Sequence, residues 1–413
     1  MTKKRVFKYI LVLALVVFLA AAVLIGYLLW EERNIPRLYF EGDISGMEEK
    51  TDIRDIEFVY ENGDETISGY AEIKPQGTSS LVYDKKNFTI KFYEDAQHDE
   101  KLRIDVGFGS QYKYCLKANW VDRTHSRNIV TARLAHQIQQ KYGLLTQAPR
   151  SGLVDGFPIE IYANGEFHGI YTFNIPKDAW QFNMDEDDPN HIVVSGKTYT
   201  PTNLFQELPN LGVWEVEVGP ENDETLAKLT RMFEFVLNSS DEEFVEHFEE
   251  YLDLDAALNY YIMVDYCHLA DNHGQNMLLA TYDGMKWYLS LYDLDTSWGT
   301  TWNGYGVHNY QEELLDMSRN NLFARMETCF GKELSRRYFE LREEFLNKEH
   351  VMAEFYAFED DIPAMAVIRE TLQWGKGMLK KRTDIPGAEL TQIEEYIDCV
   401  EARLDAKYAA LAE

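Results

Sequence analysis

The sequence predicts an α+β protein in which a β-rich first part precedes a mainly helical second part. Alternation of apolar and polar residues with a period of two, interrupted by Asn-Gly turns, recurs through the first half of the chain. After about residue 222 the pattern changes to helical periodicity. Runs of strands followed by runs of helices are typical of α+β folds and not of alternating βαβ units. We therefore expect one domain over residues 53–413, with a β-rich lobe over about 53–220 and a helical lobe over about 221–413.

The first lobe begins with a predicted hairpin. The runs IEFVY (56–60) and TISGYAEIK (66–74) alternate in polarity and flank an Asn-Gly turn. Further strands are predicted over 87–93 and 114–120. A helix then follows the candidate N-caps Asp122 and Ser126 and ends before Gly143; residues 123–142 contain no carboxylate. The lobe is completed by a second hairpin over 157–173 and short strands over 191–194 and 214–218.

The second lobe is predicted to be helical with one small hairpin inserted. Its predicted elements are a helix through 226–237, a capping box formed by Ser240 and Glu243, an apolar helix over 254–268, strands over 276–282 and 286–295, and amphipathic helices broken by Pro363 and Pro386. This order completes the α+β plan.

The N-terminus carries a predicted membrane anchor. Residues 9–30 form an uninterrupted apolar run, long enough to cross a hydrocarbon core of roughly 30 Å. Lys3, Lys4, Arg5 and Lys8 precede it, and the positive-inside tendency predicts a cytoplasmic N-terminus with the main domain outside the cell. A cleaved signal peptide is the alternative, but the run is long for that and no A-x-A site follows it. Residues 31–52 are predicted to be a polar tether.

Charge and cysteine content narrow the function classes. The chain has 413 residues, and 70 Asp and Glu against 40 Lys and Arg give a formal net charge of -30. Such a charge repels a phosphate backbone, so we expect no nucleic-acid partner. The four cysteines are widely spaced and form no CxxC pair, which indicates structural thiols and not a zinc site or a disulfide framework.

A loop and a strand end in the second lobe carry the strongest chemical signal. Asp271 and Asn276 have the spacing of the catalytic Asp and the metal-binding Asn in a protein-kinase catalytic loop. Asp293 follows the next predicted hairpin, where a kinase places the Asp that binds the bridging metal. Each motif alone is also explained by chance in an acidic chain, or by a turn or helix cap. Their occurrence in this order favours a functional site.

Two further segments are candidates for binding phosphate. Gly77 and Ser79 lie in a turn before Lys85 and Lys86, which resembles a phosphate cover with a cationic anchor. The alternative is a hairpin turn whose lysines protect a strand edge. Arg127 lies in the first turn of the acid-free helix, where a helix N-terminus and a guanidinium favour a phosphate or a carboxylate. The alternative is packing against acidic neighbours.

Four blocks of the sequence resemble, in order, the signatures of the CotH kinase family, the spore coat protein H-like atypical kinases. The blocks are QGTSSLVYDKKNFTIKF, LKANWVDRTHSRNIV, IEIYANGEFHGIYTF and DNHGQNMLLATYDGMKWYLSLYDLDTSWG. The resemblance covers about residues 55–300. It implies a divergent protein-kinase-like bilobal fold that uses ATP and Mg²⁺, or another divalent cation, to phosphorylate Ser or Thr of secreted or surface proteins.

The resemblance also implies roles for individual residues. By position, Asp271 is the catalytic Asp, Asn276 and Asp293 are metal ligands, and Lys85 or Lys86 is the ATP lysine. The residue patterns described above add Gly77, Ser79 and Arg127 as candidate nucleotide contacts. The chain departs from the pattern in two places. The acid-free helix offers no Glu to pair with the ATP lysine, which leaves Glu160 as a candidate, and residues 174–177 lack the acidic residue that the family often has there.

Two other functions stay open from the sequence. One is a surface, coat-assembly or adhesin-type binding protein that keeps the fold without turnover. The other is transfer of AMP in place of phosphate by the same site. Metal-dependent nucleotide binding separates the first from the enzyme hypotheses.

Overall fold

The computed structural model describes residues 13, 15–19, 26, 35–304, 306–378 and 386–413. The apolar run over 9–30, on which the predicted anchor rests, lies mostly outside these residues. Within the part of the chain that is described, no helix is both long enough and apolar enough to span a bilayer.

Seven strands form a closed barrel in the order β1-β2-β3-β4-β5-β7-β6. They are β1 (Arg37–Glu41), β2 (Arg54–Asn62), β3 (Glu65–Gln76), β4 (Asn87–Tyr93), β5 (Lys113–Lys117), β6 (Gly156–Ala163) and β7 (Glu166–Asn174). The two predicted hairpins are confirmed as the antiparallel pairs β2/β3 and β6/β7. Alternate residues of the strands point inward and form an aromatic core that includes Phe58, Phe92, Tyr114 and Phe173.

The mixed α+β class is confirmed, but the predicted bilobal arrangement is not, because the β-rich part is a closed barrel. Closure depends on β1, which pairs antiparallel with β2 and parallel with β6. Residues 37–41 lie inside the segment predicted to be a tether, so that prediction is wrong for them. Their five-residue sequence has little periodicity of its own; pairing along both edges makes it a strand.

A second sheet joins the two halves of the chain. Its order is β11-β10-β8-β9. The strands are β8 (Ile192–Gly196), β9 (Trp214–Val218), β10 (Met277–Thr281) and β11 (Tyr288–Leu291). The boundary predicted near residue 220 therefore falls between strands of one sheet.

Ten helices are described, most of them in the second half of the chain. They are α1 (Arg127–Lys141), α2 (Ala179–Phe182), α3 (Asp223–Asn238), α4 (Asp241–Tyr251), α5 (Leu254–Tyr266), α6 (Asn321–Cys329), α7 (Gly331–Glu344), α8 (Lys348–Asp360), α9 (Ala364–Met378) and α10 (Pro386–Ala410). The predicted capping box at Ser240 and Glu243 is present at the start of α4. The predicted break at Pro363 is present between α8 and α9. The predicted break at Pro386 adjoins residues 379–385, which lie outside the described residues.

Long-range packing places two helices where they matter for the site. The buried helix α5 packs against β11 and leads directly into the loop before β10. Helix α9, although it comes late in the chain, packs against barrel strand β7. The barrel therefore receives one helix from the far end of the sequence.

Candidate functional site

Asp271 lies in a short 3-10 turn, Ala270–His273, between α5 and β10. The turn is held from inside by Asn272, whose side chain is buried. Asn272 Nδ2 donates to the carbonyl of Asn276 at 3.4 Å and to the carbonyl of Tyr292 at 3.0 Å. One buried amide therefore ties the loop that carries Asp271 to the end of the following hairpin.

Asn276 and Asp293 lie at the same end of the β10/β11 hairpin. The register pairs Met277 with Leu291, so the next position outward places Asn276 opposite Tyr292. Both Asn276 and Asp293 have left-handed backbone conformations, with φ of 62° and 57°. The structure therefore places both residues at one end of the hairpin.

A cation that sequence reasoning did not select, Lys117, also lies at this hairpin end. Lys117 is the last residue of β5, and its Nζ lies 3.6 Å from Asp293 Oδ1. The same Nζ lies 5.8 Å from the centre of the Tyr292 ring. The sequence feature that could have indicated Lys117 is its position at the end of an apolar strand, ten residues before the acid-free helix begins.

Carboxyl groups crowd around Lys117. Burial, followed by the neighbouring Asp293, raises the pKa of Asp271. The same two causes raise the pKa of Asp295 to about 8, with Lys117 opposing the shift and Asp122 and Asp271 adding to it. Burial lowers the pKa of Lys117, but the surrounding acidic groups outweigh it and the net shift is upward. Several carboxyl groups therefore share the ammonium of Lys117.

We expect the variant Asp295→Asn to be more stable than the parent, by a margin that grows between about pH 4 and pH 8. The pKa of Asp295 is about 8 in the folded protein, against about 4 in an unfolded chain. Between these two values the unfolded chain ionises while the folded protein keeps its proton, so the folded state loses stability as the pH rises, and above about pH 8 it must bury the charge instead. Asparagine cannot ionise, so the variant avoids that loss.

The measurement is the difference in melting temperature between variant and parent at pH 5 and at pH 8, in the presence of EDTA. The matched control is Asp99→Asn, which removes an exposed carboxylate remote from Lys117. A difference for Asp295→Asn that is constant or shrinks with pH contradicts the assignment.

The donor atoms at the hairpin end fit a hard divalent cation that arrives with a phosphate. Among the described residues, no group of three or more His, Cys, Asp or Glu side chains is placed to hold a metal by itself. Asp293 and Asn276 supply a carboxylate and an amide instead, and Mg²⁺ is usually held by one or two carboxylates together with phosphate oxygens and water. A cation would also offset the repulsion that raises the pKa of Asp271 and Asp295.

Lys85, predicted as the ATP lysine, is engaged elsewhere. It is 1% exposed, and its Nζ donates to the carbonyl of Ala118 at 3.1 Å, to Glu370 Oε1 at 2.7 Å and to the carbonyl of Ile170. Lysine has three N–H donors, so none is left for a phosphate. Burial lowers the pKa of Lys85, although Glu370 opposes the shift. The structure thus makes Lys85 an anchor for α9.

Glu160, the candidate partner for the ATP lysine, is also engaged elsewhere. It is fully buried and accepts from Arg37 Nε at 3.1 Å and from the Arg369 guanidinium. The acidic partner of Lys85 is Glu370 on α9. Local sequence gave no indication of that pairing, since the two residues are 285 positions apart.

The turn between β3 and β4 lies beside the end of β5. Gly77 has a φ of +111°, and a Cβ there would lie 1.9 Å from Ser80 Oγ, so the turn requires glycine. Ser79 is exposed, and Lys86 Nζ donates to the carbonyl of Leu81 at 2.6 Å. Asn87, the residue after Lys86, links the turn to the end of β5. Its Oδ1 accepts from the N–H of Ala118, the residue that follows β5, at 2.7 Å. The turn therefore approaches the residue that follows Lys117.

The anionic partner of Arg127 is Asp122, a residue of the same chain. Its backbone N–H donates to Asp122 Oδ2 at 2.8 Å, its Nη1 lies 3.6 Å from Asp122 Oδ1, and its Nη2 donates to Gln392 Oε1 at 2.7 Å. A carboxylate therefore occupies the start of α1. The next residue, Asn128, accepts from the N–H of Leu294 at 3.0 Å, so α1 also supports the loop after Asp293.

Comparison with known proteins identifies the family of the chain. The family model described as CotH kinase protein matches residues 73–403, which include the β3/β4 turn, Lys117, Asp271, Asn276 and Asp293. A comparison with curated proteins found no match. The match covers most of the chain and confirms the resemblance seen in the four sequence blocks, so this chain belongs to the CotH kinase family.

Proposed function

We propose that this protein is an atypical kinase that transfers the γ-phosphate of ATP to Ser or Thr of proteins at the cell surface or in the envelope. The membership of the CotH kinase family supports phosphotransfer as the reaction class. The apolar run over 9–30 supports attachment to the membrane with the domain outside. The net charge of -30 argues against a nucleic-acid substrate.

The observation that carries the proposal is the 3.6 Å distance between Lys117 Nζ and Asp293 Oδ1. Both lie at the end of the hairpin that also carries Asn276. Phosphoryl transfer needs positive charge beside the phosphates and ligands for a metal in one place. Lys117 provides the charge, and the β3/β4 turn, which Asn87 links to Ala118, would cover the phosphates. Lys117 takes the role that sequence reasoning gave to Lys85 or Lys86.

Asp293 and Asn276 would hold the Mg²⁺, and the bound ion supplies neutralisation of phosphate charge. Asp271 is the catalytic residue that orients the acceptor hydroxyl and accepts its proton. Its raised pKa, caused by burial and by Asp293, makes it a better proton acceptor than an ordinary aspartate. Lys117 Nζ, 3.6 Å from Asp293 Oδ1, places a positive charge beside the carboxylate that would hold the ion.

The test is labelling of the full-length protein and of added acceptor protein with ATP tagged at the γ- or the α-phosphate. We expect metal-dependent label from γ-tagged ATP, no label from α-tagged ATP, and loss of all label in EDTA. The variant Asp271→Asn defines the background. Label from α-tagged ATP assigns AMP transfer. A metal-dependent nucleotide-induced thermal shift without any label assigns a non-catalytic binding protein.

A further inference from the structure

The backbone at Asp293 needs support from its surroundings. Its φ of 57° is left-handed, a conformation that few residues other than glycine adopt. Such a conformation persists only where neighbouring contacts hold it. Asp293 is also partly exposed, so its own side chain is not packed in place. The contacts of the preceding residue, Tyr292, therefore matter for where the carboxylate points.

Tyr292 is held between two lysines. The Nζ of Lys177 lies 4.6 Å from the centre of the ring, and the Nζ of Lys117 lies 5.8 Å from it. Ammonium groups within about 6 Å of an aromatic ring are attracted to its π-electrons. The Tyr292 carbonyl also accepts the hydrogen bond from Asn272. The ring and the carbonyl of Tyr292 are therefore both held by neighbouring side chains.

Lys177 is itself anchored to the second sheet. Its Nζ lies 2.5 Å from Glu217 Oε1 on β9 and donates to Ser195 Oγ on β8 at 3.4 Å. Ser195 Oγ donates in turn to Glu217 at 2.5 Å. Lys177 follows β7 closely in the chain, so it links the end of the barrel to the sheet that carries Tyr292.

We propose that Lys177 is a positioning residue that acts through Tyr292 to set the orientation of the Asp293 carboxylate for a divalent cation. The role of Asp293 as a metal ligand is taken from the proposed function. Groups that orient a ligand from behind commonly change metal affinity by 10–100-fold when they are removed. Nothing in the local sequence of residues 174–177 assigns this role, because the contact exists only in the folded chain.

The sign of the effect separates positioning from simple electrostatics. If Lys177 acted only through its charge, its removal would lessen repulsion of a cation and strengthen metal binding. If Lys177 positions Asp293, its removal weakens metal binding despite the lost repulsion. The two roles therefore predict opposite changes.

The experiment measures Mn²⁺ binding to the full-length protein from the free-Mn²⁺ signal in electron paramagnetic resonance, without nucleotide. We expect Lys177→Met to weaken Mn²⁺ binding about 10-fold. Lys177→Arg should restore most of the affinity, because a guanidinium can keep both the Glu217 pair and the ring contact. The matched control is Lys197→Met, which removes an exposed lysine that lies just after β8. It should bind Mn²⁺ as the parent does.

Two further variants test the path from Lys177 to Asp293. Glu217→Gln leaves the ammonium in place but removes its anchor, so it should also weaken Mn²⁺ binding. Tyr292→Leu should weaken it as Lys177→Met does, and the double variant should be no weaker than either alone, because both remove the same contact. Melting temperatures near that of the parent show that the variants are folded.

Unchanged or tighter Mn²⁺ binding by Lys177→Met overturns the proposal, and so does additive weakening in the double variant. A parent protein that binds no Mn²⁺, or binds it equally well as Asp293→Asn, overturns both this proposal and the metal role in the proposed function. A parent that binds Mn²⁺ as described but transfers no label overturns the kinase function alone.

Discussion

Lys117→Met is expected to lower phosphate transfer by about 100- to 1000-fold while the protein stays folded. Removing one preorganised group that stabilises charge in a transition state typically has an effect of this size. Lys117 is the cation that lies 3.6 Å from Asp293, and methionine keeps its length without its charge. The measurement is the initial rate of γ-phosphate labelling at saturating metal, together with the melting temperature.

The matched control is Lys50→Met, which removes an exposed lysine in the loop between β1 and β2. It should transfer phosphate at the rate of the parent. A Lys117→Met protein that is folded and labels acceptor within a few-fold of the parent would remove Lys117 from the site. The proposal that its charge neutralises the phosphates would then fail.

Lys85→Met is expected to destabilise the protein by about 3–5 kcal/mol. The substitution leaves the Glu370 carboxylate buried without its cation, and breaking a buried ion pair on one side typically costs this much. Glu370 is 5% exposed, and its other oxygen accepts from the N–H of Ile170 at 2.8 Å. The measurement is the free energy of unfolding from chemical denaturation.

Removing both charges should restore most of the free energy of unfolding that Lys85→Met loses. The double variant Lys85→Met/Glu370→Leu replaces the buried pair with apolar side chains, a change that is often neutral for stability. Since burial lowers the pKa of Lys85, the pair carries a desolvation cost that the double variant avoids. A double variant as unstable as Lys85→Met would contradict this account. Where it folds, it should also retain phosphate transfer, which separates Lys85 from Lys117.

Local patterns predicted much of the fold because each of these elements is determined by neighbouring residues. The hairpin β2/β3 follows from alternation around an Asn-Gly turn, and the start of α4 from the capping box of Ser240 and Glu243. Strand β1 was missed because its five residues become a strand only through pairing with β2 and β6. The closed barrel was missed with it.

The candidate site was predictable to the extent that its residues lie close in sequence. Asp271 and Asn276 share one loop, and Asp293 follows the adjoining hairpin, so their order indicated a common location. Which lysine belongs to the site could not be predicted from neighbouring residues in the sequence. Lys85 and Lys117 both belong to the barrel region, and only the packing of α9 shows that Lys85 is already paired with Glu370.

The sequence by itself determined the α+β class, the two barrel hairpins, the start of α4, the family, and the set of acidic and amide side chains offered for chemistry. Tertiary structure decided which cation meets those side chains, how the barrel closes and which helix covers it. The physical reason is the separation along the chain of the residues that interact. Turn and cap preferences act over a few residues, whereas an ion pair such as Lys85–Glu370 depends on chain segments that meet only after folding.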